Sequence, residues 1–239
     1  MKNITLLIIL FVTGNIFAQS DYVVINHAGG TQKYIVSDVT NITFESHNCG
    51  ESFDYEGQTY NTILIGDQCW MKENLNVGTK ITGTSDQADN LTIEKYCYDD
   101  DDANCATYGG LYQWNEAMQY VTSTGSQGIC PLGWHIPTYT ELQILGTAVS
   151  NSSNALKSVG QGSGLGSGNN DSGFSALLAG IRDDLIGSFF SLGYGTYFWS
   201  STEGSSSSAY YMYMSLNNDN VSFNSLNKVD GFSVRCVKD

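Results

Sequence analysis

Within the last forty residues of the chain, apolar and polar positions alternate with period two over 211–216 and again over 220–224. Met212, Met214 and Leu216 fall on one face of a strand, with Tyr211, Tyr213 and Ser215 on the other. Asn217-Asn218-Asp219 predicts a turn, and Val221 and Phe223 then alternate with Asn220, Ser222 and Asn224 on a return strand. Upstream, Phe53 to Tyr60 predicts a hairpin, Thr62 to Gly66 an apolar strand and Phe174 to Ile181 another. The period changes at two places. Leu111, Trp114 and Met118 repeat at i, i+3 and i+7, predicting a helix over Gly110 to Tyr120. Thr138-Tyr139-Thr140-Glu141 is a capping box, with Pro137 holding the start of a second helix and Leu142 and Leu145 as its buried face. Between Gly160 and Gly173 the chain is mostly Gly, Ser and Asn, which predicts a long surface loop inside the domain.

The pattern divides the chain in three. Residues 1–18 have a signal-peptide layout: Lys2, an apolar run from Leu6 to Val12, and Ile16-Phe17-Ala18 before a cleavage site near Ala18. That run is too short to span a bilayer, so export without membrane insertion is expected. Residues 19–47 form a short β segment with strands at Tyr22–Ile25, Tyr34–Val36 and Val39–Phe44 and a turn at Gly29-Gly30. A unit of that size buries little by itself. Residues 48–239 have the length of one domain.

Six cysteines remain in the exported chain, an even count that predicts three disulfides among 15 formal pairings. Order and spacing favour Cys49–Cys69, Cys97–Cys105 and Cys130–Cys236. Zinc is disfavoured: there is no C-x2-C, and none of the three His lies at ligand spacing from a cysteine. Loss of Lys2 with the leader leaves 9 basic against 24 acidic residues, a net charge of −15. Such a surface repels phosphate backbones, which excludes nucleic acid as a partner. An extracellular glycan or a protein remains compatible.

Seven Ser, three Tyr and five Asn make up 15 of the 25 residues from Gly204 to Lys228. Antibody paratopes use the same alphabet: rigid amphipathic Tyr for contact area, Ser and Asn for adaptable hydrogen bonds. Two readings stand open, an ordinary hairpin with a wet outer face and a ligand surface made of Tyr211, Tyr213, Ser215, Ser222 and Asn224. Asp99, Asp100, Asp101, Asp102 and Asn104 crowd between two cysteines, so Asp99, Asp101 and Asn104 are candidate Ca2+ ligands. The competing reading is a solvated acidic loop; the alternating Asp, central Gly and terminal Glu of an EF-hand are absent. No other cofactor is expected. Trp70, Trp114, Trp134 and Trp199 sit beside apolar or turn residues and read as core before sugar platforms. His135 reads as a structural hydrogen-bonding group. No G-x-S-x-G elbow, P-loop or H-E-x-x-H occurs. Asp183 and Asp184 are sequence neighbours, which on a strand would point to opposite faces.

Three blocks carry a family resemblance. Ile65-Gly66-Asp67-Gln68-Cys69-Trp70-Met71-Lys72-Glu73-Asn74-Leu75, then Tyr96 to Tyr112, then Cys130-Pro131-Leu132-Gly133-Trp134-His135-Ile136-Pro137-Thr138 resemble successive blocks of the Fibrobacter succinogenes major paralogous domain. Phe174 to Arg182 and the tail from Trp199 to Cys236 complete the match. The segment ending in Ile42-Thr43-Phe44 is similar to short N-terminal segments of exported Bacteroidetes proteins. The Gly-Trp-His-Ile-Pro-Thr block and the Val-Arg-Cys strand look distantly like the formylglycine-generating-enzyme and C-type-lectin-like group. That resemblance implies an α+β, C-type-lectin-like fold with two helices, a twisted antiparallel sheet and its termini brought together. The calcium–sugar motifs of lectins are missing, and the catalytic cysteine pair of the oxidase branch has no position assigned to it in this sequence.

The expectation is therefore an exported, non-enzymatic binding or adhesion protein, secreted or periplasmic. An enzyme acting on extracellular polysaccharide through Asp183, Asp184 or Glu203 is the alternative. A structural surface protein without a specific ligand is the third.

Overall fold

The structure is a computed structural model describing residues 22–27, 30–35 and 48–239. The leader at 1–18 and the third predicted strand, Val39–Phe44, lie outside the described residues. The chain divides into two compact units, Met1–Phe44 and Glu45–Asp239. In the first, β1 (Tyr22–His27) and β2 (Gly30–Ile35) pair antiparallel from Tyr22↔Ile35 to His27↔Gly30.

The second unit is mixed α+β and mostly sheet. It opens with β3 (Ser52–Tyr55), β4 (Gln58–Ile65) and β5 (Gln68–Met71) as a meander. Glu56 and Gly57 both have positive φ, 48° and 76°, which is what a tight two-residue hairpin turn requires. Next come β6 (Thr79–Lys80), β7 (Glu94–Lys95), α1 (Asp102–Tyr108), β8 (Leu111–Tyr112), α2 (Trp114–Ala117) and β9 (Trp134–His135). α3 (Tyr139–Ala148), α4 (Ser153–Leu156), β10 (Ala179–Arg182) and β11 (Phe189–Leu192) follow. The chain closes with β12 (Gly195–Glu203), β13 (Ser208–Ser215), β14 (Ser222–Asn227), β15 (Phe232–Ser233) and β16 (Val237–Lys238).

Two sheets carry the fold. One runs β3-β4-β5-β16-β9; the other runs β11-β10-β12-β13-β14, with β15 beside β12 and β8 beside β15. β10 and β15 lie parallel to β12, and the remaining pairs in these two sheets are antiparallel. The three disulfides are Cys49–Cys69, Cys97–Cys105 and Cys130–Cys236.

The helices differ from the expected pair: among the described residues four α-helices form, three of them of seven residues or fewer. α3 starts at its capping box, with Thr138 Oγ1 accepting from Glu141 N and the Glu141 carboxylate accepting from Thr138 N. The helix predicted over Gly110–Tyr120 shrinks to the four residues of α2. Leu111 instead exchanges backbone hydrogen bonds with Tyr96, and Leu111–Tyr112 pair with Phe232–Ser233. Gln119 and Tyr120, at positive φ of 50° and 59°, stop the helix at its other end. Leu111, Trp114 and Met118 are all buried, so a strand-to-helix corner satisfies the same apolar spacing. α1 forms inside the acidic run because Asp101 caps it, its carboxylate accepting from Ala103 N at a helix start where negative charge is favourable. The strand predicted from Phe174 begins only at Ala179, although Phe174, Ala176 and Leu178 are buried.

Two apolar clusters fill the unit. Trp114, Trp134, Trp199, Phe232 and Val234 belong to the first; Trp70, Leu142, Leu145, Phe198, Met212 and Met214 to the second. β12 and β13 send alternate side chains into each, so both of their faces pack against core.

Candidate functional site

The register of the second sheet sets predicted contact residues in rows. Tyr197 on β12, Tyr213 on β13 and Ser222 on β14 lie side by side, and Trp199, Tyr211 and Asn224 form the next row. Tyr213 and Ser215 are half-buried, and Ser222 and Asn224 are exposed. Tyr211 is only 9% exposed, which corrects the expectation that it faces solvent beside Tyr213. The cause is tertiary. Phe232 comes back beside β12, placing its ring 4.9 Å from Tyr197 and 5.2 Å from Tyr211. On the opposite face α3 covers the strands, with Tyr139 stacked on Tyr210 at 4.3 Å. What remains of the tyrosine face is the Tyr197–Tyr213 pair, whose rings are 4.7 Å apart, bordered by the exposed residues of β14.

Carboxylates adjoin this pair. Asp183 and Asp184 lie past the end of β10 in a turn, so the strand rule that separated them does not apply. One oxygen from each of Asp183, Asp184 and Asp230 lies within 4.8 Å of the others. Asp184 N donates to Asp230 Oδ1 at 3.2 Å, and Asn227 Nδ2 donates to Asp184 Oδ2 at 2.8 Å, tying the turn to β14. Burial first, then the charges of Asp184 and Asp183, push the Asp230 carboxyl up to about 6. Burial pushes the Tyr197 hydroxyl up to about 12, with smaller contributions from Tyr213, Tyr211 and Asp230. Glu203, the third acid considered for hydrolysis, is instead paired with Lys228, whose ammonium lies over the Trp114 ring.

The acidic run holds its candidate calcium ligands in local structure. Asp101 caps α1, Asn104 Nδ2 donates to Tyr98 O at 2.8 Å, and Asp99 takes a positive φ of 54°. Asp100 accepts from Gly83 N, and Asp102 pairs with Lys80 at 2.7 Å. Among the described residues the group of three acids close enough to share an ion is Asp183, Asp184 and Asp230, and none of the 99–102 run belongs to it. His135 is held between Asp239, 2.7 Å from Nδ1, and Glu141, 3.0 Å from Nε2. All four tryptophans are buried.

Tyr197 and Asp230 carry no local mark in the sequence. Tyr197 reads as the edge of an aromatic run and Asp230 as a turn residue before Gly231. Only the meeting of β12, β14 and the Asp183–Asp184 turn makes them neighbours.

These features define a disulfide-stapled α+β domain with a tyrosine and aspartate face on its larger sheet. The chain belongs to the Fibrobacter succinogenes major domain family, whose pattern matches residues 63–238. No curated protein and no solved structure matches the chain.

Proposed function

We propose that the protein is exported and works as a non-enzymatic binding or adhesion protein on a C-type-lectin-like scaffold, its ligand an extracellular glycan or protein. The observation that carries this reading is the half-buried Tyr197–Tyr213 pair flanked by exposed Ser222 and Asn224. Rings fixed by neighbours lose little freedom on binding, and the adjacent hydroxyl and amide groups supply adaptable hydrogen bonds. The scaffold assignment draws support from the chain ends of the unit: Cys49 bonds Cys69 on β5, and Val237 on β16 pairs with Trp70 one residue further along. Export draws support from six cysteines that are all paired, as an oxidising compartment allows. Among the described residues no helix is long and apolar enough to cross a membrane.

Glycan and protein arrays probed with the wild type and Tyr213→Ala test the reading. The variant is expected to lose at least about tenfold in affinity with little change in melting temperature. Retained binding would place the ligand elsewhere.

A second reading, an enzyme acting on extracellular polysaccharide, is favoured by Asp230 alone. Its pKa, raised to about 6 by burial and by the neighbouring Asp184 and Asp183 charges, suits a general acid near neutral pH. Turnover of a polysaccharide that Asp230→Asn abolishes would displace the binding reading.

A further inference from the structure

A second site lies away from the tyrosine face. A pocket of about 270 Å³ opens between β4, the segment Lys72–Asn76, the C-terminal end of α1 and the loops at Ser158 and Ser175. Arg235, only 2% exposed, is part of its lining. A guanidinium offers five N–H donors. Three are used: Nε and Nη2 donate to Asn74 Oδ1 at 3.2 and 2.7 Å, and Nη1 donates to Phe174 O. Phe174 and Phe198 lie against the guanidinium at 4.1 and 5.1 Å. Two donors are left over, and among the described residues no carboxylate forms an ion pair with this cation. Glu73, the acid nearest in effect, is occupied by Asn61 N and Nδ2 at 2.8 and 2.9 Å.

A buried charge without a counterion is costly, and among the described residues another buried cation outside any ion pair is satisfied differently. Lys157, also buried and without a carboxylate, uses all three of its donors on the carbonyls of Gly166, Ser215 and Asn218. Arg235 has no such complement. Burial lowers its pKa to about 9, and the charge of Glu73 offsets this only in part. The half-buried Lys72 also lines the pocket, and its ammonium makes no hydrogen bond or ion pair among the described residues. Two cations against Glu73 give the lining a net charge of +1 in a chain whose net charge is −14. Thr59, Thr107, Ser158, Ser175 and Asn76 complete the walls with hydroxyl and amide groups. The volume lies near the lower end of ligand pockets, about 300 Å³.

We propose that this pocket binds a small hydroxylated monocarboxylic acid of the uronic-acid type, its carboxylate seated on the two free Arg235 donors and Lys72. A monoanion neutralises the lining, a carboxylate matches the planar guanidinium edge, and ring hydroxyls meet the Ser, Thr and Asn walls. The site is independent of Tyr213.

The test is titration calorimetry on the intact disulfide-bonded protein with sodium D-glucuronate, D-glucose and N-acetylglycine. Glucuronate is expected to bind at least about tenfold more tightly than glucose, and Lys72→Ala to weaken it by about tenfold. Arg235→Lys, checked for folding by near-ultraviolet circular dichroism, is expected to weaken it similarly, while Tyr213→Ala leaves it unchanged. Should Arg235→Lys fail to fold, Lys72→Ala decides. Absence of glucuronate binding, equal binding of glucose, or an unchanged Lys72→Ala affinity overturns the proposal. Tighter binding of N-acetylglycine than of glucuronate overturns the hydroxylated class and assigns the carboxylate to a peptide terminus.

Discussion

His135 fastens three parts of the chain at one point: β9, the first turn of α3 through Glu141, and the chain end through Asp239. Burial works against its charged form, but the hydrogen bonds and charges of Glu141 and Asp239 prevail and its pKa is raised. Its contribution to stability is therefore full below the unfolded value of about 6.5 and is lost as pH rises through the folded value. Glu141 behaves oppositely. Burial would raise it, yet His135 and Thr138 hold it below the usual carboxylate range, so its contribution is lost on acidification. Melting scans should show a decline in stability as pH rises past about 6.5 that His135→Gln flattens; an unchanged profile would remove the pair from the account. Asp230 adds a second prediction. Its folded pKa of about 6 exceeds the unfolded value of 3.8, so stability is lost as pH rises between those two values and the full penalty is in place above the folded one. Asp230→Asn should raise stability at pH 7 by about 1–2 kcal/mol, after discounting for partial solvent screening, and leave it unchanged at pH 4. Equal effects at both pH values would mean that packing, not charge, sets the difference.

Among the elements, α3 has the clearest local cause. Its capping box satisfies two backbone donors that the helix start would otherwise leave orphaned. Thr138→Ala should cost about 1 kcal/mol in urea unfolding. Glu141→Ala should cost more, because the same carboxylate also holds His135. β13 shows a different kind of control. It lies between β12 and β14, and its two faces feed separate apolar clusters. A tyrosine on such a strand gains by burial even though its alternation with methionine looks amphipathic.

Across the whole unit, the Cys130–Cys236 bridge closes the longest loop, with a sequence separation of 106 against 20 and 8 for the others. In the chain-entropy account, replacing both cysteines with alanine should lower stability by about 4–5 kcal/mol, compared with about 2–3 kcal/mol for Cys97–Cys105. Guanidinium unfolding of the two double variants under non-reducing conditions measures the order. A larger loss at Cys97–Cys105 would show that local structure around α1, rather than loop closure, dominates.

By itself the sequence determined what depends on neighbours along the chain. The Thr138–Glu141 cap, the Phe53–Tyr60 hairpin and the strands of the 209–226 region are set by spacing within a few residues, and the cysteine order favoured the pairing that the structure has. Trp70, Trp114, Trp134 and Trp199 were legible as core because large apolar groups have few alternatives in water. The site was legible only in part. Ser222 and Asn224 are exposed as their alternation suggests, whereas Tyr211 is buried by Phe232, 21 positions later. Asp230 meets Asp183 and Asp184 across 46 or more positions, and Arg235 meets Asn74 across 161. Those encounters were decided by tertiary structure alone, because strand order and loop return, not local periodicity, determine which side chains share a volume. The same reason turned Leu111 and Tyr112 from helix into strand: their backbone partners, Tyr96, Phe232 and Ser233, arrive from elsewhere in the fold.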